Sequence, residues 1–340
     1  MRIRTTTRKH RKSPAVILTV IIFFVMLAGL YYALSSTDSR KEPVIVDIPR
    51  GTSFLQSVDL LEEAGLVKHK YLFYALVITR NAQGNIRAGE YELLTSMSPM
   101  EIIDKLVKGQ IKTYDVPIPE DFTMREIAVR LVSYRLVDEK QFLSLSKDTK
   151  LLAELDIEGR SVEGYLYPET YKFDKSMGPR AIIEAMVTQF RKRFTPAMEK
   201  RAKELGMTLH EVVTLASLIG KETGYEKEKP QVSAVFHNRL RKKMKLQSDP
   251  TSVYDLESFA GAVKKKHLLR KSPFNTYIID GLPPSPIANP AIDSLQAALY
   301  PAPGNYLYFV SNNDGSHKFS SSLSAHNKAV LKYQINRKKE

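Results

Sequence analysis

Val46-Asp47-Ile48-Pro49 and, at an offset of 70 residues, Val116-Pro117-Ile118-Pro119 open two copies of one pattern. Leu61, Leu66, Val67 and Lys70 return as Leu131, Leu136, Val137 and Lys140. Each copy reads as a short strand, a proline-containing turn and an amphipathic helix that starts near Ser53 or Thr123 and stops before a Leu-Val pair. Strand-turn-helix units share such patterns by chance, but identities held at one offset favour a duplicated βα unit, and two copies do not make a solenoid. Between the copies, Gly89-Glu90-Tyr91 and a helical pattern over Ser98 to Lys108 complete a small α+β module at residues 44–112. The expected fold class is therefore α+β.

On the amino-terminal side, Ala15 to Leu34 runs without a charge or a proline. At about 1.5 Å per residue such a helix matches a hydrocarbon core of about 30 Å. Arg2, Arg4, Arg8, Lys9, Arg11 and Lys12 precede it with no acidic residue among them, which orients the amino terminus to the cytoplasm. The expectation is a cytoplasmic tail at 1–12, a transmembrane helix at 13–35, a polar linker at 36–43, and everything beyond outside the cytoplasm. A cleaved signal peptide ending near Ala33-Leu34-Ser35 is the competing reading, against which the apolar run is longer than a usual signal core of about 7–15 residues.

The net charge of +14 includes those six tail cations. A positive exterior suits anionic headgroups or an acidic wall polymer. Nucleic acid is disfavoured, because the basic residues are scattered, Lys264-Lys265-Lys266 is a short run, and the orientation is wrong. The absence of cysteine excludes disulfides, thiolate chemistry and a lipoprotein anchor. Seven histidines lie without His-x-His or His-Glu-x-x-His spacing, so neither a metal nor another cofactor is expected. Ser144-Leu145-Ser146-Lys147 fits the Ser-x-x-Lys of serine acyl-transfer enzymes, but no Lys-Thr-Gly accompanies it.

Thr208-Leu209-His210-Glu211 is a capping box that starts a helix running to Glu222. Val212, Leu215, Ala216 and Ile219 form one apolar stripe, with Glu222 at its edge. A carboxyl group there loses water, which raises its pKa and suits proton donation near neutral pH; a solvated or ion-paired glutamate at a helix end is the plainer alternative. Val232 to Leu240 reads as a second helix, and Gln247-Ser248-Asp249-Pro250-Thr251 as a polar turn in which Asp249 caps the next helix. Glu163 to Tyr171 is an aromatic loop, either packed or presented to sugar rings. Asn312-Asn313-Asp314-Gly315 is a hairpin turn between a strand at Tyr306–Ser311 and His317-Lys318-Phe319. A last helix begins near Ser324.

Lys221-Glu222-Thr223, Val235-Phe236-His237-Asn238-Arg239-Leu240, Leu246-Gln247-Ser248-Asp249-Pro250-Thr251, Asn275-Thr276-Tyr277 and Gly281-Leu282-Pro283-Pro284 together resemble the motifs of the endolytic murein transglycosylase family (MltG, YceG-like). Tyr165 and Tyr167 stand where some relatives carry tryptophan, and position 237 varies. The resemblance implies an anchor, a LysM-like module at 44–112 and a mixed α+β catalytic domain at 113–340. It places Glu222 as catalytic acid and base in non-hydrolytic cleavage of the MurNAc-β-1,4-GlcNAc bond within glycan strands, leaving 1,6-anhydro ends and terminating nascent strands. Asn238, Gln247, Asp249, Asn275, Tyr277 and Tyr165 are the substrate-binding candidates, each with a cap or turn bond as its alternative. Asp249 and Glu228 are orienting groups, Arg239 pairs with an acidic neighbour, Leu282, Pro283 and Pro284 shape the groove, and His317 and His326 either line it or are structural. Implied partners are peptidoglycan, the cytoplasmic membrane and penicillin-binding synthases. A wall-binding scaffold without turnover and a glycoside hydrolase are the rival classes.

Overall fold

In the computed structural model, residues 14–335 are described, except 39, 83, 85 and 258. The expected cytoplasmic tail at 1–12 lies outside them. The chain divides into two compact units, Met1–Thr113 and Tyr114–Glu340.

The first unit opens with helix α1 (Pro14–Leu34), whose apolar side chains, Phe24 and Met26 among them, are exposed. Among the described residues no helix is long and apolar enough to cross a membrane. Strand β1 (Pro43–Ile48), helices α2 (Phe54–Glu63) and α3 (Lys70–Thr79), strand β2 (Gly89–Leu94) and helix α4 (Pro99–Lys108) come next. β1 and β2 pair antiparallel, with Val46 opposite Tyr91. Ser53 and Ser98 close capping boxes on α2 and α4, satisfying amide groups that the first turn leaves orphaned. Val46, Ile48, Val58, Leu61, Phe73, Tyr91 and Ile102 fill the core.

The second unit begins by repeating the first. Strand β3 (Tyr114–Pro117) leads through a turn to helix α5 (Met124–Ser133), capped by Thr123 in a capping box like that of Ser53. The match extends to the backbone: Gly51 and Gly65 have φ of 83° and 71°, and their counterparts Asp121 and Arg135 have 58° and 56°. Left-handed turns thus recur at the same offset even where the second copy has no glycine to ease them. Helices α6 (Glu139–Leu145) and α7 (Thr149–Glu154) precede strand β4 (Thr170–Phe173), which pairs antiparallel with β3. Next come α8 (Gly178–Arg193), α9 (Pro196–Glu204), α10 (Leu209–Glu222), α11 (Lys229–Arg241), the short α12 (Lys265–Leu268) and α13 (Ile292–Leu299). The predicted hairpin appears as β5 (Tyr308–Ser311) paired antiparallel with β6 (His317–Ser320), with α14 (Leu323–Val330) after it.

This is a mixed α+β architecture. The second unit carries two separate two-stranded antiparallel ribbons, β3-β4 and β5-β6. The core lies between helices: α10 is buried without a break from Val212 to Gly220 and packs against α11 and α13. Each large apolar side chain sequestered there contributes roughly 1.5–3 kcal/mol. Lys229, almost wholly buried at the start of α11, reaches Asp293 on α13 at 2.6 Å. The end of α10 is thereby fixed on a rigid support.

Candidate functional site

Glu222 is the last residue of α10. Thr223 leaves helical geometry, and its amide donates to the Ile219 carbonyl at 3.3 Å. Two residues earlier, Gly220 is required by close approach: a Cβ there would collide with Asp121 Oδ1. The repeated turn thus presses a carboxyl group against the backbone of the helix that carries Glu222. Burial pushes the Asp121 carboxyl up to about 6, and Oδ1 has no hydrogen-bond partner.

The Glu222 side chain is half-buried. The hydroxyl of Ser248 donates to its Oε1, and among the described residues no ion pair engages it. Loss of water pushes its pKa up to about 7; the Ser248 bond and the positive charge of Arg239 oppose this, while the charge of Asp249 adds to it. A carboxyl group poised there is present in both protonation states near neutral pH and can both give and take a proton.

The wall opposite Glu222 is the loop at 246–251. Gln247 adopts φ of 52°, uncommon for a residue with a side chain. The bend is held from outside: the amide of Gln247 donates to the Thr276 carbonyl at 3.2 Å, and that of Ser248 to Thr276 Oγ1 at 2.9 Å. The hydroxyls of Thr251 and Thr276 also bond, at 2.9 Å. Two motifs well separated in sequence are thus stitched into one wall, because their buried hydroxyl and amide groups satisfy one another. The Tyr277 hydroxyl then donates to Asp249 Oδ1 at 2.5 Å.

Arg239 is buried under this wall. Its Nε donates to the Leu307 carbonyl at 2.7 Å, and its guanidinium to the Leu246 carbonyl at 2.8 Å and Gln247 Oε1 at 3.3 Å. It also lies over the Tyr308 ring, 5.3 Å from the centroid. Among the described residues the expected acidic partner does not pair with it: its hydrogen bonds go to neutral oxygens, and Glu222 is reached only through space.

Of the sequence candidates, Gln247, Asp249 and Tyr277 gather beside Glu222 with Gln247 and Asp249 exposed. Asn238, Asn275 and Tyr165 do not face the open side. Asn238 donates to the Gly304 and Tyr306 carbonyls at 3.1 and 2.9 Å. Asn275 is fully buried and donates to the carbonyls of Leu268 and Arg270 at 3.0 and 2.7 Å, while its Oδ1 accepts the Tyr277 amide at 3.1 Å. Tyr165 is 1% exposed, packed edge-on against Phe190 and bonded to His210 Nδ1 at 3.2 Å. These three brace loops, so the geometry does not offer their polar atoms or rings to a sugar.

Glu228 binds His317, with Oε2 2.8 Å from Nδ1 and Oε1 accepting the His317 amide at 3.0 Å; the pair ties β6 to the start of α11. His326 stacks on Tyr308. Pro284 offers its carbonyl to His210 at 3.1 Å, placing the Leu282-Pro283-Pro284 segment against the start of α10. Among the described residues no group of three or more His, Asp or Glu side chains is placed to hold a metal.

Ser248 was not among the sequence candidates, although it stands inside one of the motifs; a serine in a polar turn gives no sign that its hydroxyl reaches across 26 residues. Glu163 was missed as well. It is 1% exposed and accepts the Met124 amide and the Asn289 side-chain amide, both at 2.8 Å, and the Tyr254 hydroxyl at 2.9 Å. Burial, against these donors, pushes its carboxyl up to about 7.

Residues 46–332 match the model of the YceG-like family. The chain is 32% identical over 309 residues to an endolytic murein transglycosylase of Bacillus subtilis, covering 86% of this chain and 85% of that protein. An endolytic murein transglycosylase of Streptococcus pneumoniae is 27% identical over 94% of this chain and 65% of its own length. A crystal structure of a YceG-like protein from Listeria monocytogenes superposes with a TM-score of 0.60 at 32% identity, covering 85% of this chain and all of that one. On these matches the chain belongs to the YceG-like family.

Proposed function

We propose that this protein is a lytic transglycosylase of peptidoglycan, cutting the MurNAc-β-1,4-GlcNAc bond within glycan strands. The names of its relatives support the substrate, and one observation carries the chemistry: a lone half-buried carboxyl, Glu222, whose proton affinity is raised to about 7 and which has no ion-pair partner among the described residues. Neutral Glu222 gives its proton to the glycosidic oxygen as the bond to the muramoyl C1 breaks. The resulting carboxylate takes the proton of the C6 hydroxyl, whose oxygen closes onto C1, leaving a 1,6-anhydro end and a re-protonated Glu222. One carboxyl suffices because the sugar's own hydroxyl replaces the second carboxylate that ordinary glycosidases need.

The Ser248 bond to Oε1 orients the carboxyl so that Oε2 faces the reacting oxygen. Gln247, Asp249 and Tyr277 hold sugar hydroxyl and acetamido groups, and Asn238, Asn275, Arg239 and Tyr165 keep the loops in place. The order β1–α2–α3–β2 in the first unit supports reading it as a LysM-like glycan-binding module. The apolar α1 supports a membrane anchor, with the chain beyond Ser36 outside the cytoplasm beside penicillin-binding synthases, where internal cuts end nascent strands. Mass spectrometry of digested sacculi tests the reaction: wild type yields anhydro ends and Glu222→Gln none, whereas reducing ends would indicate a hydrolase and no new ends a binding scaffold.

A further inference from the structure

A cavity of about 700 Å³ in the second unit has Lys221 and Pro250 in its lining but not Glu222. Lys221 and Pro250 are the chain neighbours of Glu222 and Asp249, so the cavity borders the two segments that carry the candidate site. Its size suits a small branch rather than a polymer. The floor is apolar, with Met124, Val253, Phe274 and Ile287.

The charged groups around this floor are unevenly committed. Glu126 is turned back onto the Thr123 amide at 2.7 Å, Asp255 is held by Arg270 and Ser272, and the oxygens of Glu163 are taken by the donors already described. Of the four cations in the lining, Arg125 donates to the Leu256 carbonyl at 3.1 Å and Lys221 to the Asp121 carbonyl at 3.3 Å, whereas Lys147 and Arg160 are exposed and, among the described residues, have no ion pair or side-chain hydrogen bond. Glu257, also exposed, supplies an acid at the rim. Two uncommitted cations, one acid and an apolar floor suit a short peptide carrying carboxylates and an amine. A bare sugar would seek amides and aromatic faces, and a phospholipid headgroup a purely cationic rim.

The geometry points to this cavity as the site for the peptide stem of the substrate, with Lys147 and Arg160 binding its carboxylates. The inference rests on the proposed function and deepens it: the stem leaves the same muramoyl ring whose C1 reacts, and the cavity borders the segments that carry Glu222 and Asp249. Stem-bearing strands are then the preferred substrate.

The test compares the full-length protein with the Lys147→Glu/Arg160→Glu variant on stem-bearing strands and on strands stripped by an amidase. Wild type is expected to show kcat/KM roughly tenfold higher on stem-bearing strands, and the variant to lose that preference while keeping its rate on stripped strands. Each exposed pair is weak, and reversal of both charges compounds the loss. Equal rates on both substrates for wild type, or an unchanged preference in the variant, would overturn the assignment. Calorimetry with an L-alanyl-γ-D-glutamyl-diamino-acid tripeptide separates this from the reaction itself. Binding to wild type but not to the variant supports the cavity even if neither strand is cleaved, and no binding to either protein counts against it.

Discussion

Replacing Glu222 by Gln keeps the volume and an oxygen to accept the Ser248 hydroxyl, but removes the titration. The carboxyl has its pKa pushed from 4.5 to about 7 by burial. Between those values the folded protein holds a proton that the unfolded chain has released, so raising the pH through this window removes stability. Fully counted, the shift corresponds to about 3 kcal/mol. The side chain is only half-buried, and solvent screening reduces this to roughly 1–2 kcal/mol. Glu222→Gln is therefore expected to match wild type below about pH 4.5 and to exceed it by roughly 1–2 kcal/mol above pH 8, about 2–8 °C in Tm for a domain of this size. Glu163, also pushed up to about 7 by burial, titrates in both proteins and cancels in the difference. Scanning calorimetry from pH 4 to 9 gives the answer. A stability difference that does not change with pH, or a variant weaker than wild type at pH 8, would refute the claim that Glu222 is poised near neutrality.

Other perturbations probe the neighbours. Ser248→Ala removes the hydrogen bond that lowers the Glu222 pKa, so the alkaline limb of the pH–rate profile should move to higher pH while the rate falls; a profile that does not move would separate Ser248 from the proton transfer. Gly220→Ala must displace the Asp121 carboxyl from the α10 backbone, and a loss of about 1–3 kcal/mol with reduced activity is expected in urea unfolding and turnover assays. Asn275→Ala abandons the carbonyls of Leu268 and Arg270, and should cost about 1–3 kcal/mol in thermal unfolding. Arg239→Met removes the cation whose field lowers the Glu222 pKa, so the alkaline limb should again rise, provided that circular dichroism shows the fold intact.

The regular elements were legible where local chemistry decides them. The capping boxes at Ser53, Thr123 and Thr208 mark helix starts because side-chain oxygen and backbone amide lie within one turn of each other. The repeat was readable because duplicated turns keep duplicated backbone shapes. Pairing of β3 with β4 was not, since their partners, Val116 and Tyr171 among them, meet only through the tertiary fold. The same divide runs through the site. The apolar stripe that Glu222 ends left a solvated or ion-paired glutamate as the plainer reading, and the motif resemblance singled it out; an amide in a polar loop reads alike whether it is buried against carbonyls, as Asn275 is, or exposed, as Gln247 is. The left-handed φ of Gln247 is imposed by Thr276 and Arg239, neither of which its own neighbours announce.

Isotope transfer from solvent tests the central claim most directly. Cleavage of purified glycan strands in water enriched in oxygen-18, with mass spectrometry of the new muramoyl ends, asks which oxygen attacks C1. If Glu222 hands the reaction to the substrate's own C6 hydroxyl, the new ends carry no label; oxygen-18 at C1 would mean that water is the nucleophile, and the single-carboxyl account would fall.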